Sequence, residues 1–185
     1  AKIGEYLRQV QVDNSRQNLD GMFFKLEAPQ GGQAAQELTV RFSIAIYNRW
    51  NYDAESGRYL RSVDQQNASD AASERYVPLT DAATGEQIGA ENVVVIFVPH
   101  QDVVPSAETE MMERALNGSG DALLLRDGQL YRLRWQRSAA DALLTLVDAN
   151  GQLVAFKPGQ TWFEVVNTGS EVKNDGAAWR VHFST

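Results

Sequence analysis

Residues 123–166 read LLLRDGQLYRLRWQRSAADALLTLVDANGQLVAFKPGQTWFEVV. Short apolar runs alternate there with tight-turn signals at close, even intervals, and the clearest signals are Asp127-Gly128 and Asn150-Gly151. Asp-Gly and Asn-Gly supply the positive φ angles that two-residue hairpins need. The stretch therefore predicts an antiparallel meander of short strands.

Other parts of the chain carry further strand patterns. Apolar and polar residues alternate from Leu38 to Ile46, which is typical of a strand with one face in the core. Residues 93–98 contain no polar member, so we expect a central strand that is buried on both faces. Residues 64–75 hold no apolar period and predict a mobile surface loop, whereas residues 108–116 fit either a short helix or a strand.

Together these patterns predict a mainly β fold. We expect a single antiparallel β-rich domain, arranged as a meander or a barrel-like sheet, over residues 21–185. Residues 3–10 carry their apolar side chains at helical spacing and predict one N-terminal helix, with at most one further short helix elsewhere. The residues expected to form the core are Phe42, Ile44, Val94, Ile96, Leu133, Trp135, Phe163 and Val165.

Composition excludes several classes of function. The chain has 185 residues and a formal net charge of −7, whereas phosphate contacts need a positive field. We therefore expect no nucleic-acid partner and no direct contact with an anionic membrane surface. The chain contains no cysteine, which excludes disulfides, thiolate zinc sites and thiol nucleophiles. Its apolar runs fall well short of the ~18 residues that indicate a membrane-spanning helix.

The sequence contains no recognised catalytic or metal-binding motif. Its two histidines lie in no zinc or triad pattern. No lysine follows Gly118-Ser119-Gly120 as it would in a phosphate-binding loop, so we expect a turn there. We predict no catalytic residue, no metal and no cofactor, and hence a domain that is not an enzyme. The alternative is a hydrolase of cell-wall material that uses carboxylates such as Asp53 and Asp81.

Aromatic residues with arginine neighbours are the candidates for a binding site. Tyr59 and Arg61 share parity on one predicted strand, Trp135 and Arg137 share it on another, and Trp162 follows a Pro-Gly turn. Such residues can bind sugars or peptides through ring contacts and bidentate hydrogen bonds. The alternative is that the aromatic rings fill the core and the arginines extend over it.

A series of short motifs runs along most of the chain, from Phe23 to Val166. They comprise residues 23–29 with Gly31-Gly32, Tyr52-Asp53, Tyr59-Leu60-Arg61, Asp81, Thr84-Gly85, residues 92–95, Gly118-Ser119-Gly120, Asp127-Gly128, Trp135-Gln136-Arg137, Gly151 and residues 158–162. In order and spacing they resemble the C-terminal domain of the YerB-like family, bacterial lipoproteins whose function is not established.

The resemblance implies a context for this domain, although it brings no catalytic residues to transfer. In that family an N-terminal domain follows a lipobox signal peptide and precedes this one, so residues 1–20 would be the connector from a missing N-terminal domain. The resemblance also implies an extracytoplasmic protein whose membrane contact is a lipid anchor outside this chain. We expect a non-catalytic interaction module whose partner is an envelope protein, a glycan or its own N-terminal domain.

Overall fold

The structure, a computed structural model, describes residues 22–105 and 110–184. The helix predicted over residues 3–10 and the connector predicted over residues 1–20 lie outside this range. The strands, in chain order, are β1 (Gln33–Ala34), β2 (Glu37–Arg41), β3 (Tyr47–Asp53), β4 (Arg58–Asp64), β5 (Tyr76–Pro78), β6 (Gly89–Ala90), β7 (Asn92–Val98), β8 (His100–Pro105), β9 (Glu110–Arg114), β10 (Gly118–Arg126), β11 (Gln129–Arg137), β12 (Thr145–Val147), β13 (Thr161–Asn167), β14 (Glu171–Asp175) and β15 (Ala178–His182). A 3₁₀ turn at Ala71–Ser73 stands between β4 and β5. No helix in the described ranges is long and apolar enough to cross a membrane.

Two main sheets carry the fold. The first has the order β1-β11-β10-β7-β13 with β12 on β11, and the second has the order β14-β15-β2-β3-β4-β5 with β6 on β4. Strands β8 and β9 form a separate antiparallel pair, so of the two alternatives for residues 108–116 the strand is right over Glu110–Arg114.

The prediction of a mainly β fold is confirmed, but the prediction of one antiparallel or barrel-like sheet is wrong. Strand β13 pairs parallel to β7, and β15 pairs parallel to β2. Neither of the two sheets closes on itself in the described ranges. Turn signals report on strands that are neighbours in sequence, whereas parallel pairs join distant segments. Hairpin signals therefore could not reveal these two pairings.

The hairpin of β10 and β11 follows the predicted turn. Asp127 and Gly128 have φ angles of 54° and 71°, and the two strands pair from Arg126 opposite Gln129 outward. The turn predicted at Gly118-Ser119-Gly120 is wrong, because these residues begin β10. A Cβ on Gly120 would lie 2.6 Å from both the Phe97 carbonyl oxygen and Trp135 Nε1, so glycine is needed there for close approach rather than for a turn.

The alternation from Leu38 to Ile46 is divided between two elements. Strand β2 ends at Arg41, and the chain reverses into β3, with the Ser43 hydroxyl accepting hydrogen bonds from the N–H groups of Ala45 and Ile46. Ile44 lies in this reversal and is 59% exposed, so its predicted place in the core is wrong. Period-2 alternation continues through such a turn and cannot mark where the strand stops.

Strand β7 is the central strand, and all seven of its residues are buried, which confirms the prediction for residues 93–98. Val93, Val95 and Phe97 pack in the cluster between the two sheets. Val94, Ile96 and Val98 pack in a second cluster on the other side of the first sheet. Of the other residues expected in the core, Leu133 and Trp135 are buried, and Phe42, Phe163 and Val165 are half-buried.

A buried arginine holds two segments of chain against the first sheet. Arg126 is fully buried, and its guanidinium donates hydrogen bonds to the carbonyl oxygens of Leu26 at 2.8 Å and Ala155 at 3.2 Å. Its Nε donates to Asp127, whose carboxylate also binds the ammonium of Lys157 at 2.7 Å. A buried charge is tolerated when it is paired and hydrogen-bonded, so these bonds favour one placement of both segments.

Residues 64–75 include a buried carboxylate that the sequence pattern did not indicate. The Glu74 side chain is 3% exposed and forms ion pairs with Arg41 at 2.7 Å and with Arg180. The Tyr76 hydroxyl donates to the same carboxylate at 2.6 Å. Glu74 therefore anchors this loop to β2 and β15 of the second sheet.

Replacing Trp135 with alanine tests how much its packing in the second cluster stabilises the fold. Trp135 is 1% exposed, and its Nε1 donates to the Phe97 carbonyl oxygen at 2.9 Å. We expect Trp135→Ala to lower the free energy of unfolding by about 3–5 kcal/mol, through lost packing and an unpaired buried carbonyl. Urea denaturation measures this, with Arg134→Ala as the control, because Arg134 is exposed and its guanidinium contacts the exposed side chains of Asp121 and Ser119. Equal stability of the two variants would contradict the placement of Trp135.

Acid should weaken the fold through Glu74. Burial by itself raises the pKa of Glu74, but hydrogen bonds from Arg180, Tyr76 and Arg41 outweigh it and hold that pKa below its ordinary value. Such a group stabilises the fold above its unfolded pKa of about 4.3, and the stabilisation is lost as the pH falls through the folded pKa. We expect Glu74→Gln to be less stable than wild type at pH 7 and to lose less stability on acidification to about pH 3.

The measurement is urea denaturation at several pH values between 7 and 3. The exposed Glu86→Gln serves as the matched control and should follow the wild type. If Glu74→Gln and wild type lose stability in parallel, Glu74 is not a source of the acid sensitivity.

Candidate functional site

The five predicted site residues do not share one surface. Tyr59 is buried between the sheets, where its hydroxyl donates to the Ala35 carbonyl oxygen at 2.8 Å. Trp135 is buried in the second cluster. Both rings are core residues, as the alternative interpretation of the sequence proposed. Neither is available to contact a ligand in this conformation.

Arg137 uses its guanidinium within the chain. Its Nε donates to the Ala142 carbonyl oxygen at 2.8 Å, and its Nη2 donates to the Ala140 carbonyl oxygen. These bonds hold the turn that follows β11. The structure thus assigns Arg137 a local role in the loop and places it away from the remaining candidates.

Arg61 and Trp162 are brought together from different sheets. Arg61 on β4 lies directly opposite Trp50 on β3, and both side chains point toward β13 of the first sheet. The guanidinium carbon of Arg61 lies 4.6 Å from the ring centroid of Trp162 and 5.7 Å from a ring centroid of Trp50. The two tryptophan rings lie 5.4 Å apart at an interplanar angle of 58°. These contacts orient the guanidinium through cation–π attraction.

A buried glutamate completes this group of residues. Glu164 on β13 is 5% exposed, and its Oε1 accepts a hydrogen bond from Trp50 Nε1 at 3.0 Å. Burial raises the pKa of Glu164, and the Trp50 bond and the nearby Arg61 charge offset this only in part. We call Trp50, Arg61, Trp162 and Glu164 the Arg61 cluster.

Sequence reasoning missed Glu164 and Trp50 as members of the cluster. A signal for Glu164 was present, because it shares parity with Trp162 and Val166 and so belongs to the inward face of an apolar strand. A charged residue at an inward position is rare unless it is paired. The partner itself could not be identified, since Trp50 is 114 residues away in the chain.

The Arg61 guanidinium has unused hydrogen-bonding capacity. Desolvation lowers the pKa of Arg61, and the charges of Glu164 and Asp64 oppose that shift. Its Nε is buried without a hydrogen-bond partner, and no salt bridge joins Arg61 to a carboxylate among the described residues. The Trp162 ring holds the Arg61 guanidinium in one orientation. The Arg61 cluster therefore offers a ligand N–H donors that are already oriented.

The carboxylates named for a hydrolase lie in surface turns. Asp53 accepts hydrogen bonds from the N–H groups of Ser56 and Glu55, and Asp81 accepts them from Ala83 and Thr84. The Ser56 side chain and N–H hold the pKa of Asp53 below its ordinary value, and the N–H groups of Thr84 and Ala83 do the same for the pKa of Asp81. Both groups therefore act as acceptors that shape turns.

A groove of about 860 Å³ runs between residues 23–31, β11 and residues 148–155. Its lining mixes charged side chains, such as Lys25 and Asp148, with apolar ones. None of the five predicted site residues lines it. Within the described ranges, no group of three histidine, aspartate or glutamate side chains is arranged to hold a metal ion.

Comparison with known proteins gives a family and a fold. The model of a family described as "Protein of unknown function (DUF3048) C-terminal domain" matches residues 38–163. The crystal structure of the YerB protein from Bacillus subtilis is similar, with a TM-score of 0.65 and 19% sequence identity over 89% of this chain and 49% of that chain. This chain thus spans about half the length of that protein. No curated protein matches. The resemblance to a YerB-like domain is confirmed, and the chain belongs to the DUF3048 family of unknown function as its C-terminal domain.

Proposed function

We propose that this domain is a non-catalytic binding module and that Arg61 holds an anionic group of its ligand. The observation that carries the proposal is the guanidinium oriented over Trp162 at 4.6 Å, without a carboxylate partner among the described residues. A planar guanidinium binds a carboxylate or a phosphate through two parallel N–H bonds. Because the tryptophan rings already hold the side chain, less conformational entropy is lost when a ligand binds.

The surrounding charges favour a ligand with one anionic group over a polyanion. Glu164 and Asp64 lie close enough to influence Arg61, and the whole chain has a net charge of −7. A polymer with many phosphates would meet repulsion beyond its one contact. A single carboxylate or phosphate on an otherwise neutral ligand avoids this cost.

We further propose that the domain works outside the cytoplasmic membrane as part of a lipid-anchored envelope protein. The resemblance to YerB-like lipoproteins is what supports this location. The partner would be an envelope protein or a glycan, or the N-terminal domain of the same protein. No specific observation favours the hydrolase alternative, since Asp53 and Asp81 are occupied by turn N–H groups.

A matched panel of immobilised ligands tests the role of Arg61. The panel contains peptides and cell-wall muropeptides, each with a free carboxylate and as the corresponding carboxamide. We expect the chain to retain members with a free carboxylate, and Arg61→Gln to weaken that binding about ten- to a hundredfold, as the loss of a charge-assisted hydrogen bond predicts. Arg61→Lys should fall between the two, because an ammonium keeps the charge without the fork geometry.

Arg132→Gln is the matched control, since Arg132 is an exposed arginine that also lies over a tryptophan, 5.4 Å from a ring centroid of Trp179. It should bind like the wild type. Circular dichroism verifies that each variant is folded. If folded Arg61→Gln binds the carboxylate members as strongly as wild type does, the proposed role of Arg61 is wrong.

A further inference from the structure

Strand β13 forms the outer edge of the first sheet. In the described ranges it pairs with β7 along its whole length and with no strand on its other side. An edge strand presents a row of backbone N–H and C=O groups that can pair with another extended chain. Proteins commonly block such edges with lysine, proline or very short strands. Strand β13 has seven residues, TWFEVVN, and contains neither lysine nor proline.

The side chains of β13 are compatible with pairing to one more strand at its outer edge. Glu164 and Val166 point inward and are buried, whereas Phe163 and Val165 are half-buried and pack at the border of the second cluster. The one charged residue of the strand is therefore directed into the core. Its outer edge has apolar flanks and no side-chain charge to repel an added strand.

The position of Arg61 connects this edge with the Arg61 cluster. Trp162 on β13 contacts Arg61 on β4, so β13 lies across from that part of the second sheet. Neighbouring strands lie about 4.8 Å apart and packed sheets about 10 Å apart. A strand added beside β13 would thus lie across from the rim formed by β4 and β5. Arg61 and Trp162 are half-exposed while Trp50 is buried, so the cluster opens toward that rim.

We propose that the ligand is an extended peptide that pairs with the outer edge of β13 and places one aspartate or glutamate side chain on Arg61. This inference rests on the proposed binding role of Arg61. Backbone pairing supplies affinity with little dependence on sequence, and an inward side chain supplies specificity, as in other cases of strand addition. A glycan fits this edge less well because it offers no matching row of amide donors and acceptors.

Charge limits the peptide to a single acidic residue at the contact. Glu164 and Asp64 act on Arg61 from the protein side, so a second carboxylate next to the first would be repelled. The residues that alternate with the acid would lie on the other face of the first sheet, beside Phe163 and Val165 at the border of the second cluster. We therefore expect apolar or β-branched residues at those positions.

A random heptapeptide library displayed on phage, selected on the whole chain, is the test. Selection should enrich one Asp or Glu at a fixed position among apolar and β-branched residues. The best selected peptide is then synthesised in three forms: unchanged, with its acid replaced by the corresponding amide, and with alternate backbone amides N-methylated. We expect the amide replacement and one of the two N-methylation patterns each to weaken binding at least about tenfold. Hydrogen exchange on residues 161–167 should slow when the unchanged peptide binds, while exchange on β14, the edge of the second sheet far from Arg61, should not change.

The outcomes separate this inference from the proposed function. Binding that requires the acid and Arg61 but is indifferent to N-methylation overturns strand addition and leaves the role of Arg61 intact. Binding that is indifferent to the acid and to Arg61→Gln overturns the proposed function. A selection without enrichment of acidic residues, or slowed exchange confined to strands other than β13, overturns the inference. Loss of binding in Arg61→Gln but not in Arg132→Gln, together with sensitivity to N-methylation, supports it.

Discussion

The burial of β7 on both faces is the constraint on which the rest of the structure depends. All seven residues of this strand are removed from solvent, so both faces of the first sheet need an apolar cover. The second sheet covers one face through residues such as Leu38, Trp50 and Trp179. On the other face Phe156 packs against the sheet, and Arg126 binds the carbonyl groups of Ala155, next to Phe156, and of Leu26. The charged side chain of Arg126 thus holds two backbone segments in place within an apolar layer.

The same constraint creates the candidate site. Because β13 pairs parallel to β7, its inward residues Trp162 and Glu164 are carried over the second sheet, where they meet Trp50 and Arg61. The start of β13 is held by Asn92, whose side-chain amide donates to Thr161 Oγ1 at 3.1 Å. The same side chain accepts from the Lys157 N–H and donates to the Lys157 carbonyl oxygen, both at 2.8 Å, just before the strand. A buried side-chain amide whose oxygen and nitrogen are both hydrogen-bonded favours one register of β13 relative to β7. The geometry of the Arg61 cluster is therefore a consequence of how β13 is positioned.

Pairs of like residues show why the candidate site was only partly predictable. Trp135 and Trp162 both lie on strands of the first sheet, yet one fills the core and the other lies half-exposed against Arg61. Arg61 and Arg137 likewise share the same local pattern, but the donors of Arg137 are consumed by its own loop. Parity states which face of a strand a residue occupies. It does not state which residues lie opposite that face, and those residues decided the role of each side chain.

By itself the sequence determined the β class, the central place of residues 93–98, the hairpin at Asp127-Gly128 and the resemblance to its family. These follow from local forces: backbone preferences at turns, side-chain periodicity and the cost of exposing a continuous apolar run. Only the tertiary structure decided the parallel pairs, the exposure of Ile44, the burial of Glu74 and the meeting of Arg61 with Trp162 and Glu164. Each of these depends on contacts between segments far apart in the chain. The entropy lost in closing a long loop grows only slowly with its length, so distant segments can pair at little extra cost. No local sequence pattern records which of the possible partner segments will meet.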